Sequence, residues 1–393
     1  MATQTKRAAR KPSFLETALL GTTYDKMPSL IPGTLLSAAV FVVAYFLADW
    51  INTASGYSGL ISSILVAIII GILVRNTIGL HAVFRPGVSF CLRKVLRLGI
   101  IMMGIRLSIL DVLKIGGFGI PIVIACILAG LIIVTYVTRW LKLPERLGTL
   151  IAIGTGICGV SAIVATAPGI QAKDEEVTYA VANITIFGII ATLLYPYLAN
   201  LIFGGDVTMA GLFMGTSVYD TAQVTSASLI YDQTYNVTVH PSAADIAVTT
   251  KLVRNTLMVL AIPGVTYMYM RRMRALGQEA SGKRARFLEM VPLFVFGFLA
   301  MAIIRSIGDW GLDGGHYAYS LWDVAGWKAF TRGIATWSGY ILGTAVAGVG
   351  LGTSLRSMRG LGLKPFAVGV LAAVSVGVVS IILVMALGPH VSV

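Results

Sequence analysis

Of the 393 residues, 56% are hydrophobic and only 12% are charged, about half the charged share of a soluble domain. Apolar runs of about 18 residues or more recur along the whole chain, which excludes a soluble enzyme fold and predicts an all-α polytopic membrane protein. The net charge of +13 does not mark a nucleic-acid binder, because the basic residues lie mostly between apolar spans, as cytoplasmic loops do.

Residues 1–29 read as a cytoplasmic N-terminal segment. Lys6, Arg7, Arg10 and Lys11 precede a capping box, Ser13-x-x-Glu16, that opens a short surface helix through Leu20. No cleavable signal peptide is visible before the first long apolar run. Eleven spans are predicted, at 30–48, 58–74, 88–110, 116–138, 148–171, 177–202, 209–230, 243–270, 290–306, 333–354 and 364–387. Loop charge sets their orientation. The basic turns at 75–87, 139–146, 271–286 and 356–364 are assigned to the cytoplasm with the N-terminus. Asp49 to Tyr57, Lys173 to Glu176 and Tyr231 to Asp245 are assigned outside, with the C-terminus periplasmic. The nearly uncharged 203–208 turn is the one irregularity in this alternation.

All six tryptophans lie at span ends or in the 307–332 loop, as an interfacial belt does. Cys91, Cys126 and Cys158 all lie in apolar segments and imply no disulfide framework. The sequon Asn236-Val237-Thr238 reads as a chance match.

Two motifs occur twice in the same order. Lys94-Val95-Leu96-Arg97 returns as Lys251-Leu252-Val253-Arg254. Gly154-Thr155-Gly156-Ile157-Cys158-Gly159-Val160 returns as Gly343-Thr344-Ala345-Val346-Ala347-Gly348-Val349. In register they define repeat A (58–203) and repeat B (204–388), with 30–57 as an extra first helix and its loop. Five spans per repeat is an odd number, so the second copy is inverted. Such repeats place a binding site between them near mid-membrane.

The glycine-rich stretches support two readings, close helix packing through small residues or unwinding of spans 5 and 10 where they cross. Unwound helices would turn free N–H groups toward a ligand. Candidate ligand contacts are then Gly154, Thr155, Gly156, Gly159, Ser161, Gly343, Thr344 and Gly348, with Thr353 as a further hydroxyl. Lys94, Arg97, Lys251 and Arg254 fall inside spans. Each such charge costs roughly 2.5–3.5 kcal/mol to insert, so they are either functional or paired with carbonyls. Arg106, nine residues past Arg97, points the other way on a straight helix. Asp220, with Gln223 on the same face, is the carboxylate deepest in a span; it either neutralises a basic residue or, as a candidate for coupling or gating, binds a proton or cation. Asp174, Glu175 and Glu176 read as dipole-favoured acids at a helix start. No carboxylate lies in the broken spans and the buried excess is positive, so the expected substrate is an anion. His81, His240, His316 and His390 lie in loops or the tail. An intramembrane hydrolase therefore lacks its general base, and no enzyme is expected.

On Gly104-Ile105-Arg106-Leu107-Ser108, Gly154 to Ala162 followed by Glu175-Glu176, and Gly215 to Val224, the chain resembles the YeiH-like sulfate exporter family. Tyr219 stands where many members have histidine. The family is similar to the cation/proton antiporter and bile-acid symporter superfold. The resemblance implies two inverted five-helix repeats with crossing broken helices. It also implies a secondary transporter of a small, sulfur-containing anion in the bacterial inner membrane. A cation-coupled symporter of an organic carboxylate or sulfonate, or an anion channel, remains the alternative. No metal or cofactor is expected beyond a coupling proton or sodium. The lipid bilayer is the expected surrounding, and a homodimer is compatible with the sequence.

Overall fold

The structure is a computed structural model that describes residues 22–56, 61–275, 293–313, 317–354 and 363–391. The expected surface helix at 13–20 and the loop residues 276–286 and 356–362 lie outside the described residues. Among the described residues the regular structure is helical, apart from one isolated bridge between Ala318 and Trp322.

Helix α1 spans Ile31–Ser55 and ends on Gly56 at φ 71°, a left-handed position that glycine occupies without penalty. α2 (Ser63–Thr77) returns across the bundle. α3 (Arg85–Phe90) and α4 (Leu96–Met103) are joined by a π turn at Cys91–Val95 and followed by a 3-10 turn at Gly104–Arg106. α5 (Ile109–Trp140) starts with a reciprocal cap between Ser108 and Asp111. The remaining helices are α6 (Glu145–Gly156), α7 (Val160–Thr166), α8 (Asp174–Phe203), α9 (Val207–Ser217), α10 (Thr221–Thr234), α11 (Ala243–Thr256), α12 (Met258–Ala275), α13 (Phe294–Asp313), α14 (Val324–Gly352) and α15 (Leu363–Leu387).

Six helices are long and apolar enough to cross a membrane, and the pair α11–α12, bent by 44°, makes seven. α2 and the α3–α4 run are shorter, yet they also pass from one face of the bundle to the other. Gly71 of α2 lies against Gly350 and Leu351 of α14, so that two backbones meet where a side chain would collide.

Two of the eleven predicted spans do not cross. In the fifth, α6 runs antiparallel to α12, with Arg272 bonded to Glu145 at 2.7 Å. The chain then reverses. Cys158 Sγ lies 3.2 Å from Met258 Sδ, and Gly169 lies against Thr266, so α7 follows α12 back to the face where α6 began. In the seventh, Gly211 lies against Ile246 and Gly215 against Thr250, so α9 runs parallel to α11. α10 runs antiparallel to α11: Asn255 donates to Thr221 Oγ1 at 3.1 Å, and Asp232 accepts from the Ala243 and Ala244 N–H groups at 3.1 Å. Both segments are therefore re-entrant hairpins. α8 crosses between them, so they enter from opposite faces and meet tip to tip.

The third and eighth spans run in opposite directions, with Arg106 near the end of one standing 3.5 Å from Asp245 at the start of the other. Two expectations are corrected. The stretch Gly343 to Gly350 is continuous helix within α14. Its glycines instead admit neighbours: Gly343 admits Phe41, and Gly348 admits Cys91 and Ser37. The sixth and eleventh spans, α8 and α15, run side by side in the same direction, with Phe187 over Gly369 and Tyr195 over Gly377.

The hairpins also reassign two loops. Residues 173–176 lie on the face of the basic 139–146 turn, and 203–208 on the opposite face, which removes the irregularity in the charge pattern. Single cysteines at Glu175 and Gly205 test this with an impermeant thiol reagent, since the native cysteines are buried. Glu175→Cys is expected to label from the same side as Lys142→Cys, and Gly205→Cys from the other. The reverse result would restore eleven crossings.

Candidate functional site

The hairpin tips are Ile157–Gly159 and Val218–Asp220. Each tip is a helix C-terminus followed at once by a helix N-terminus. α6 ends because Ile157 leaves helical geometry (φ −126°, ψ −96°) and Gly159 adopts φ 67°, ψ −126°, a conformation that only glycine visits readily. α9 ends at Val218 in extended backbone, and Asp220 then caps α10, accepting from Ala222 N–H at 2.9 Å. Gln223 completes the reciprocal cap. Its Oε1 accepts from Asp220 N–H at 3.2 Å, and its side chain lies on Gly188.

A helix end leaves its last carbonyls unpaired and carries partial negative charge. Here α11 supplies two cations to both ends at once. Lys251 Nζ donates to Ile157 O at 3.0 Å, to Val218 O at 2.9 Å and to Tyr219 O. Arg254 Nε donates to Gly156 O at 3.0 Å, Nη2 to Thr155 O at 2.7 Å, and Nη1 to Thr216 O at 2.6 Å. Both side chains have 0% exposure. The carbonyl-pairing reading thus applies to Lys251 and Arg254, whose nitrogens are engaged by backbone.

On the other side of the tips, the N-termini of α7 and α10 converge. A methyl group at Gly159 would stand 3.5 Å from the Asp220 Cβ. No side chain caps α7. Asp220 is partly exposed and Ser161 exposed. Arg97, exposed and 5.5 Å above the Phe294 ring, is close enough to Asp220 for their charges to act on each other, and Lys94 lies beside it. Asp220 is thus a hairpin-tip cap at a break in the helix, and the charges of Lys251 and Arg97 act on it. The Tyr219 hydroxyl and Thr155 Oγ1 are buried, with no hydrogen-bond partner among the described residues.

Gly154, Thr155, Gly156, Gly159, Asp220, Gln223, Lys251 and Arg254 are brought together, with Arg97, Lys94 and Ser161 at the rim. Gly343, Thr344 and Gly348 are elsewhere, on α14; Thr344 donates to its own helix at Tyr340 O, and Thr353 to Val349 O. Arg106 lies far from the tips, where its Nε stands 3.5 Å from Asp245 Oδ1. Asp245, fully buried at the start of α11, is the partner of Arg106 that the sequence reading placed in a loop. Its signal was the cap Ser242-x-x-Asp245, which opens α11.

Fold and site together define an all-α, multi-pass membrane protein with two facing re-entrant hairpins. The family model described as Conserved hypothetical protein 698 matches residues 32–369, and the chain belongs to this family, the UPF0324 membrane proteins. A UPF0324 membrane protein of Bacillus anthracis is 32% identical over 361 residues, covering 90% of this chain and 94% of the relative. One from Agrobacterium fabrum is 32% identical, covering 91% and 93%. One from Streptococcus agalactiae is 34% identical, covering 71% and 79%.

Proposed function

We propose that this protein is a secondary transporter that binds a small oxyanion between the hairpin tips. The observation that carries the reading is the sorting of charge at the tips. Both C-terminal ends are neutralised by Lys251 and Arg254, while both N-terminal ends are partly exposed and the charge of Arg97 acts on Asp220 there. Helix N-termini favour anions, and Arg97 and Lys94 add the charge that offsets an anion's desolvation. Facing hairpins from opposite sides provide two gates around one midplane site, which alternating access requires. The family resemblance points to a sulfur oxyanion. The basic loops assign the face holding the 139–146 turn to the cytoplasm of a bacterial inner membrane, with the N-terminus inside.

A thermal-shift screen of purified protein against sulfate, sulfite, thiosulfate, sulfonates and carboxylates tests this. A ligand at 100 times its dissociation constant adds roughly 2.7 kcal/mol to the folded state. Arg97→Ala is expected to abolish that shift. Its melting temperature without ligand should stay within a few degrees of wild type, because Arg97 is exposed. A ligand shift retained in Arg97→Ala removes Arg97 from the site. Absence of a shift with every anion overturns the reading.

A further inference from the structure

The contacts of Lys251 have the form of an ion site already filled. Its ammonium carries three N–H donors and no acceptor. Three backbone carbonyls receive them: Ile157 O at 3.0 Å, Val218 O at 2.9 Å and Tyr219 O. A neutral amine would have only two donors and would aim a lone pair at the third carbonyl. One of these oxygens belongs to the first hairpin tip and two to the second. The ammonium therefore joins the two tips from a position with 0% exposure.

Remove the ammonium in thought, and three carbonyl oxygens converge at the negative ends of two helices. Unwound carbonyls and half-helix C-termini are the groups that hold alkali cations in transporters, and carbonyl oxygens replace the hydration shell of potassium in channel filters. Two of the three oxygens, those of Ile157 and Val218, stand 3.0 and 2.9 Å from the nitrogen, the ordinary spacing of an ammonium hydrogen bond. Among the described residues no group of three His, Cys, Asp or Glu side chains could hold a metal ion. A divalent ion therefore lacks its usual ligands.

We infer that the hairpin tips form a monovalent-cation site of potassium or ammonium size, and that Lys251 occupies it as a cation tethered to the chain. The wild-type protein then needs no free cation to hold its tips together. The inference does not depend on anion transport, and its test reads cation binding and melting alone.

Lys251→Ala removes the ammonium and opens the space of its stem. Lys251→Met removes the charge but fills that space. Both variants and the wild type are melted in potassium, rubidium, ammonium, sodium and choline chlorides at equal ionic strength. Rubidium-86 binding is measured alongside. Lys251→Ala is expected to melt several degrees higher in potassium, rubidium or ammonium than in choline, with saturation. It is expected to bind one rubidium per chain, whereas wild type and Lys251→Met bind none. Recovery of folded Lys251→Ala only in potassium or ammonium would equally support the site. Three results would overturn it: no cation-specific rise in Lys251→Ala, the same rise in wild type or Lys251→Met, or failure of Lys251→Ala to fold in every salt.

Discussion

Arg254→Ala is expected to destabilise the protein by several kcal/mol, about 1–3 kcal/mol for each of three buried carbonyls left without its donor. The guanidinium joins Thr155 O and Gly156 O on one hairpin to Thr216 O on the other, at 2.7, 3.0 and 2.6 Å. Alanine leaves these carbonyls buried at helix ends with no donor. A charge-assisted hydrogen bond contributes about 1.5–3 kcal/mol. With net stabilities of about 5–15 kcal/mol, this loss is a large share of the whole. Arg254→Lys keeps the charge but replaces three donor positions with one, so an intermediate loss is expected. The measurement is melting temperature with monodispersity in detergent. Arg97→Ala serves as the exposed counterpart, with little loss expected. An Arg254→Ala protein that melts with the wild type would show that the guanidinium does not hold the tips.

Asp220→Asn is expected to leave the fold intact and to abolish proton-driven flux. Asparagine caps a helix about as well as aspartate, so the bond to Ala222 N–H at 2.9 Å and the cap with Gln223 survive. What is lost is the one negative charge at the two converging helix N-termini. That charge sits where the proposed oxyanion would bind, and Lys251 and Arg97 both act on it. Neutralising it removes a repulsion, so anion affinity should rise, by about tenfold for each 1.4 kcal/mol removed. A carboxylate that takes up a proton when the anion arrives would couple the two. The variant should then exchange anion across the membrane without responding to a pH gradient. Binding, driven flux and melting temperature decide the matter together. Normal driven flux in a stable Asp220→Asn protein would take Asp220 out of the coupling. A collapsed melting temperature would instead make Asp220 the structural partner of Lys251.

Composition alone gave the all-α membrane class, and loop charge gave an expected orientation. These are local quantities: apolar length against bilayer thickness, and lysine and arginine counts between spans. The Lys-x-x-Arg pair and the glycine break at 154–159 were legible for the same reason. A charge inside an apolar run, and a residue tolerating φ 67°, each leave a mark in one short segment. The capping boxes at Ser108, Asp220 and Ser242 are equally local, although they were not read from the sequence.

Whether a broken apolar segment continues across the membrane or turns back leaves no such mark. Residues 148–171 and 209–230 have the length and hydropathy of spans, and only their packing against α11 and α12 reverses them. The glycines at 154–159 and 343–350 look alike in sequence. One set meets Lys251 and Arg254, which satisfy the carbonyls freed by unwinding. The other meets Phe41, Cys91 and Ser37, which only fill space, so helix α14 keeps its own hydrogen bonds. The sequence by itself determined the class of protein and which residues are costly to bury. The tertiary structure decided which of those residues meet, because a buried cation or a free carbonyl is resolved only by the partner that the fold brings to it.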